Sequence, residues 1–264
     1  MTTIHFNRIN YLWRLLVTGI CFAGFALGGG LLSILVLPIL CLAPGSPQAK
    51  RMRARKVVGF MFGLMIRTLH NTGTIRFNIS GLERLHKYPG TLILANHPTL
   101  IDVVILLWLY PQASCVVKTD LWKNPFHWGV VRIADYIDNS SPESLIDSCV
   151  NQLTAGESLV IFPEGTRTRP GKSLQFMRGA SRIALANSRP ILPVIITCTP
   201  PTLTKGEPWY RIPERAVKME IVIHEPLPLE QLVSNPDPSP IGVRRLTEAL
   251  ESYFTHELNA YGCT

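Results

Sequence analysis

From Leu15 to Ala43 the chain carries no charged residue. A helix needs about 20 apolar residues to cross a bilayer, so any fold of this chain must give that run lipid or bury it. The run is too long for an ordinary signal-peptide core, and no small-residue cleavage site closes it. Gly28-Gly29-Gly30 interrupt it, and Pro38 and Pro44 end it. Two arrangements are open: one tilted spanning helix, or two shorter helices dipping into one leaflet. Gly24 and Gly28 are spaced like a helix-dimerisation face, although plain flexibility is the commoner use of such glycines.

A basic run follows at once: Lys50, Arg51, Arg53, Arg55 and Lys56. Cations clustered beside a membrane segment are typically cytoplasmic, and each gains about 1 kcal/mol near anionic lipid. Lys50 to Leu69 is expected to form an interfacial helix that holds the rest of the protein against the bilayer. A buried packing helix is the alternative. The formal charge of +8 calls for an anionic partner. A mean hydropathy of +0.20 favours an acidic membrane surface over nucleic acid, since neither zinc-finger spacing nor an RNP-like aromatic motif accompanies the charge. The six cysteines form no Cys-x-x-Cys pair, which suits a reducing, cytosolic face and supports no metal site. The expected division is a membrane segment over 1–48, a basic interfacial helix over 49–70 and a further domain over 71–264.

Within that domain, Thr91 to Ala95 is a short apolar run of strand type, and Ile101 to Leu109 is one of helical length. Pro98 lies between them, where proline suits the first helical position. His97 is thus expected at a strand-to-helix elbow, with Asp102 a little over one turn into the helix. From there a carboxylate reaches back to one imidazole nitrogen and leaves the other free to take a proton. The plainer alternative is a helix-capping histidine followed by an incidental acid. Ser158 to Phe162 is a second buried strand, and Pro163 to Gly171 a polar loop leaving its end. Ligands of open α/β sheets gather beyond the carboxyl ends of strands, and both His97 and Glu164 follow such ends. Ser114 to Val117 is another strand, so Lys118 is expected at the same edge.

Here the sequence resembles the glycerolipid, or lysophospholipid-type, acyltransferases. Asn96-His97 through Asp102 is similar to their His-x4-Asp motif, and Phe162-Pro163-Glu164-Gly165-Thr166-Arg167 to their acceptor-binding motif. The resemblance covers about Gly81 to Thr197. It implies an α/β fold, a mixed, mostly parallel sheet flanked by helices, behind an N-terminal membrane helix or helix pair. It implies transfer of a fatty acyl group from acyl-CoA or acyl-carrier protein, as co-substrate and with no cofactor, to a membrane lipid acceptor at the cytosolic face of the inner membrane. His97 is then the general base and Asp102 its partner. Glu164 would anchor acceptor hydroxyls or hold Arg167 in place; Gly165 would let the backbone approach the ligand closely, alongside Thr166; and Arg167 and Lys118 would bind the acceptor's anionic group. Pro193 resembles the family's fourth, weakest motif.

One position departs from the pattern. Asn139 stands where the family carries an arginine for the acceptor phosphate. Asparagine cannot supply that bidentate charged contact. Either Arg167, Arg169, Lys118 or Arg132 compensates, or the acceptor is atypical, as in acyltransferases that accompany bacterial aryl-polyene or other specialised lipid pathways. A non-catalytic lipid-binding scaffold is a further alternative, against which the intact His97, Asp102, Glu164 and Arg167 count. No Gly-x-Ser-x-Gly elbow occurs, so the acceptor hydroxyl itself would be the nucleophile. A Gly-to-Gly-Lys-Ser stretch at 165–173 looks like a phosphate-binding loop but has five residues between its glycines where that loop needs four.

Further helices are expected over Pro125 to Ile133, from a capping box at Ser140-Ser141-Pro142-Glu143 to Leu153, over Gln175 to Ala186 and over Ile241 to Leu258. Further strands are expected over Thr74 to Ile79, Ile191 to Thr197 and Val217 to Ile223.

Overall fold

The computed structural model describes residues 2–124 and 128–261. Helix α1 (Thr2–Leu31) passes intact through Gly28 to Gly30 and continues into a π-helical turn at Leu32–Val36 and a short α2 (Leu37–Leu42). The irregularity lies just ahead of Pro38, not at the glycines. A proline in a helix removes one amide donor and crowds the preceding turn, and a wider turn relieves that. The chain then reverses into α3 (Pro47–Asn71), whose Ser46 cap accepts from the Ala49 amide at 3.2 Å. The two long helices run antiparallel: Trp13 Nε1 donates to the Thr72 carbonyl, and Phe25 stacks on Phe62.

The remainder alternates strands and helices: β1 (Ile75–Ser80), α4 (Leu82–Lys87), β2 (Leu92–Ala95), α5 (Asp102–Leu109), β3 (Ser114–Val117), α6 (Thr119–Lys123), α7 (Trp128–Ile133), β4 (Ile137–Asp138), α8 (Pro142–Thr154), β5 (Leu159–Ile161), α9 (Arg178–Asn187), β6 (Ile191–Thr199), β7 (Val217–Ile223), α10 (Leu229–Leu232) and α11 (Pro240–Ala260). Their single sheet has the order β1-β7-β6-β2-β5-β3-β4. Every neighbouring pair is parallel except β6 and β7. Strands β2 to β6 therefore all end on one edge. Central strands covered on both faces must be apolar throughout. Accordingly Ile93 and Ala95 of β2 enter the core shared with α3 and α5, while Leu92 and Leu94 enter the core shared with α8, α9 and α11.

Helix α3 is more a packing helix than the interfacial one expected. It buries a stripe from Ala54 through Val58, Gly59, Gly63 and Ile66 to Leu69, packed chiefly on α5. Close approach there depends on missing side chains. A Cβ on Gly63 would lie 2.5 Å from the Trp108 ring, and one on Gly59 2.7 Å from Pro111. Only Phe60 and Leu64 stay strongly exposed among its large apolar residues, in company with Leu12, Leu16, Ile20, Leu27 and Leu31 of α1. Gly28 meets Met61 of α3 in the same chain, so this glycine's face is already occupied.

The basic run divides as well. Arg55 is fully buried, its guanidinium donating to Glu157 at 2.7 Å and to the Ala134 and Gln112 carbonyls. Arg51 bridges Asp135 and Glu157, and Arg53 donates to the Pro44 carbonyl. Arg51 and Arg55 clamp α3 to the sheet domain, because a charge removed from water needs charged and carbonyl partners. The expectation of five cations facing lipid is thus corrected for Arg51 and Arg55, while Lys56 stays exposed.

Two helix starts also differ. Ser141 caps α8, but its hydroxyl makes no capping bond, so the expected box does not form; Pro142 presets the first turn in its place. Helix α9 begins at Arg178 rather than Gln175, because the Phe176 amide is taken by the Glu251 carboxylate and the Met177 amide by the Pro163 carbonyl. The expected start at Pro125 lies outside the described residues. Cys21, Cys115 and Cys149 are buried thiols outside any disulfide, and the Cys198 thiol donates to the Pro200 carbonyl.

Candidate active site

Strand β2 hands over to the site through Asn96. Its side-chain amide extends the sheet, donating to the Ile196 carbonyl and accepting from the Ile196 amide, both at 2.7 Å. The chain then turns without entering a helix until Asp102. Pro98 therefore does not open α5, and Asp102 sits at the helix N-terminus rather than a turn inside it. The reason is local: the Thr99 amide and hydroxyl both donate to the Asp102 carboxylate, and the Leu100 amide is captured by the Leu203 carbonyl. A helix N-terminus favours a negative charge. Asp102 is completely buried there, and its Oδ2 lies 2.8 Å from His97 Nδ1.

With Asp102 ionised, Nδ1 donates, and Nε2 is presented as the acceptor. The imidazole stacks on Phe162 with centroids 4.2 Å apart. That contact brings together the second residue after β2 and the first after β5, two strands in register through Leu94 and Ile161.

Glu164 does something other than expected. Its Oε1 accepts from the His97 amide at 2.7 Å, and its Oε2 accepts from the Thr168 hydroxyl. The Thr168 amide in turn donates to the His97 carbonyl. The carboxyl thus ties the loop to the histidine's backbone and does not touch Arg167. Burial pushes the Glu164 carboxyl up to about 7, against the pull of the His97 amide bond; nearby Asp102 adds to the rise. Gly165 has φ +65° and closes a turn onto the Phe162 carbonyl; a side chain there would strike Met177. Thr166 is half-buried beside it.

Arg167 is anchored from elsewhere. Its Nη1 donates to the carbonyls of Leu203 and Thr204 at 2.9 and 3.0 Å, leaving further guanidinium donors for a ligand. Lys118 is exposed directly after β3, on the same edge. Asn139 follows β4 and caps α6, its Oδ1 accepting from the Thr119 amide and hydroxyl. Arg132 lies over the Trp128 ring and Arg169 is exposed. Sequence reasoning missed Thr99, Thr168 and Leu203. Thr99 sits inside the His-x4-Asp motif and Thr168 directly follows the other, both with hydroxyls that donate to a motif carboxylate, whereas nothing local marks a leucine whose φ is +52°.

Two cavities lie near these residues, the second of them lined by the loop itself. One, of about 310 Å³, is apolar and lies among α1, α3 and α5, beginning at Val103 and Val104. The other, of about 510 Å³, runs from Asn96, Pro98 and Glu164 to the end of α11.

The site is thus a buried acid–imidazole pair beside a glycine-turned Glu-Gly-Thr-Arg loop at a sheet edge, and comparison with known proteins gives its class as an acyltransferase. The family model described as Acyltransferase matches residues 76–197. A 1-acyl-sn-glycerol-3-phosphate acyltransferase of Pseudomonas aeruginosa is 27% identical over 240 residues, covering 80% of this chain and 90% of that protein. One of Limnanthes douglasii is 30% identical over 197 residues, 71% of this chain and 66% of the relative. One of Cocos nucifera is 33% identical over 115 residues, and the match spans only 37% of the relative's length. The crystal structure of a 1-acyl-sn-glycerophosphate acyltransferase from Thermotoga maritima shares the fold, with a TM-score of 0.63 at 22% identity over 98% of this chain and 100% of that one. The chain belongs to the glycerolipid acyltransferase family.

Proposed function

We propose that the protein is a membrane-bound O-acyltransferase that moves a fatty acyl group from a thioester, acyl-CoA or acyl-carrier protein, to a hydroxyl of a lysophosphatidate-type lipid. The observation that carries this is the His97–Asp102 pair, with a 2.8 Å contact on Nδ1, set against the Glu164 to Arg167 loop. His97 Nε2 takes the proton of the acceptor hydroxyl as its oxygen attacks the thioester carbonyl. The new C–O bond forms and the C–S bond breaks. The proton leaves with the thiolate as free thiol, and no acyl-enzyme is needed. Asp102 stabilises the imidazolium in between.

In this reading Arg167 and Lys118 bind the acceptor's phosphate, since the Asn139 side chain is occupied at α6. The apolar cavity beyond Asp102 suits the acyl chain. Membrane association rests on the candidate span Arg8–Leu40, whose mean hydropathy is 2.3 with only 12% buried. An exposed apolar face of that extent belongs against lipid. The cytosolic orientation follows the basic flank, of which Lys56 remains exposed.

Purified protein in mixed micelles, given lysophosphatidate and acyl-CoA, is expected to form phosphatidate. His97→Ala is expected to lose about 10²–10⁴-fold of that rate while remaining folded and membrane-bound. Retention of substantial activity by the variant would remove His97 from the role.

A further inference from the structure

The second cavity has a chemistry that the acceptor does not require. Its wall is hydroxyl-rich, with Thr168, Thr197, Thr199 and Thr255 joined by Asn259, and the exposed cations Arg169 and Lys172 stand on its lip. One end is formed by Pro98 and Thr99, which follow His97 in the chain, and by Glu164, which accepts from the His97 amide; the other is the C-terminal end of α11. Its volume of about 510 Å³ lies within the range of roughly 300–1,000 Å³ usual for small-molecule sites. The exposed apolar residues of α1 and α3 lie with the opposite core, where the apolar cavity also sits. A lipid arriving from the bilayer would meet that apolar side first. A water-borne ligand would meet the α11 side.

We propose that this cleft binds the phosphopantetheine arm by which the thioester donor is carried. The assignment rests on the acyl-transfer reading above. The arm is an extended chain with two amides and a hydroxyl between a sulfur and a phosphate. Threonine hydroxyls and the Asn259 amide match the amides and hydroxyl as donors and acceptors. Arg169 and Lys172 meet the phosphate at the lip, and the sulfur end reaches the His97 loop. The acyl group then turns from the sulfur toward the apolar cavity, which begins at Val103 and Val104 just beyond Asp102. The arm is common to coenzyme A and to a carrier protein, and this chemistry alone does not prefer either.

The test uses the full chain in detergent micelles. Thr255→Trp fills the cleft from an exposed position of α11 that lines it, and Lys172→Glu reverses a charge on its lip. Thr255→Trp is expected to raise KM for acyl-CoA by about tenfold or more, a steric loss of binding, with KM for lysophosphatidate unmoved. Calorimetric binding of free coenzyme A is expected to weaken in parallel for both variants. Acyl-carrier protein as donor is expected to suffer the same rise with Thr255→Trp. A rise in KM for the acceptor instead, or no change in either constant, overturns the proposal. A defect with acyl-CoA but not with carrier protein also overturns it, because the cleft would then serve the nucleotide end. Failure of the wild type to transfer from any thioester would sink the acyl-transfer reading, while coenzyme A binding in the wild type and its loss in the variants is read separately.

Discussion

Glu164→Gln probes the site at a buried carboxyl that ties the loop to the histidine. Glu164 is only 6% exposed, and burial lifts its carboxyl from the ordinary 4.5 to about 7. Between those values the native state keeps a proton that the unfolded chain has released. Stability must therefore fall as pH rises through that window. Each pH unit there costs about 1.4 kcal/mol, so ionising Glu164 removes about 3 kcal/mol from the fold by pH 7, and little more beyond it. Glutamine keeps an oxygen for the His97 amide and cannot ionise. The measurement is denaturant unfolding of both proteins in the same micelles from about pH 4.5 to pH 8. The difference, variant minus wild type, is expected to climb by about 3 kcal/mol across the window and then flatten. Titrations elsewhere in the chain cancel in that difference. A difference that stays flat, or falls with pH, would mean that Glu164 is ionised in the folded protein throughout, and the account of its burial would be wrong.

Other perturbations address the frame that holds the site. Arg55→Ala leaves Glu157 buried with only Arg51 for a charged partner and is expected to destabilise by about 3–5 kcal/mol; a loss below 1 kcal/mol in chemical unfolding would refute the clamp. Gly63→Val forces a side chain into the Trp108 ring and is expected to cost about 1–3 kcal/mol, whereas Gly24→Ala, at a position with nothing within 4 Å, is expected to be tolerated. Thermal unfolding of the pair decides that contrast. Arg167→Lys should raise the acceptor's KM more than it lowers kcat, because a lysine loses the fork while keeping a charge; unchanged acceptor kinetics would release Arg167 from phosphate binding.

The amino-acid sequence by itself determined the features that are local. The apolar run ahead of Lys50, the strand residues around Leu92 and Leu159, and the placing of His97 and Glu164 just after strands all follow from periodicity and proline or glycine punctuation within a few residues. Tertiary structure alone decided whom the polar groups meet. Glu164 was expected on the acceptor or on Arg167, yet it binds the backbone of a residue 67 positions away, because β2 and β5 are neighbours. Arg167 answers to carbonyls 36 and 37 positions on, and Arg55 left the lipid-facing run for a carboxylate 102 positions on. A hydrophobic pattern records which face of an element is covered, but a hydrogen bond needs one atom at one distance and angle, and strand order, not sequence spacing, supplies that atom.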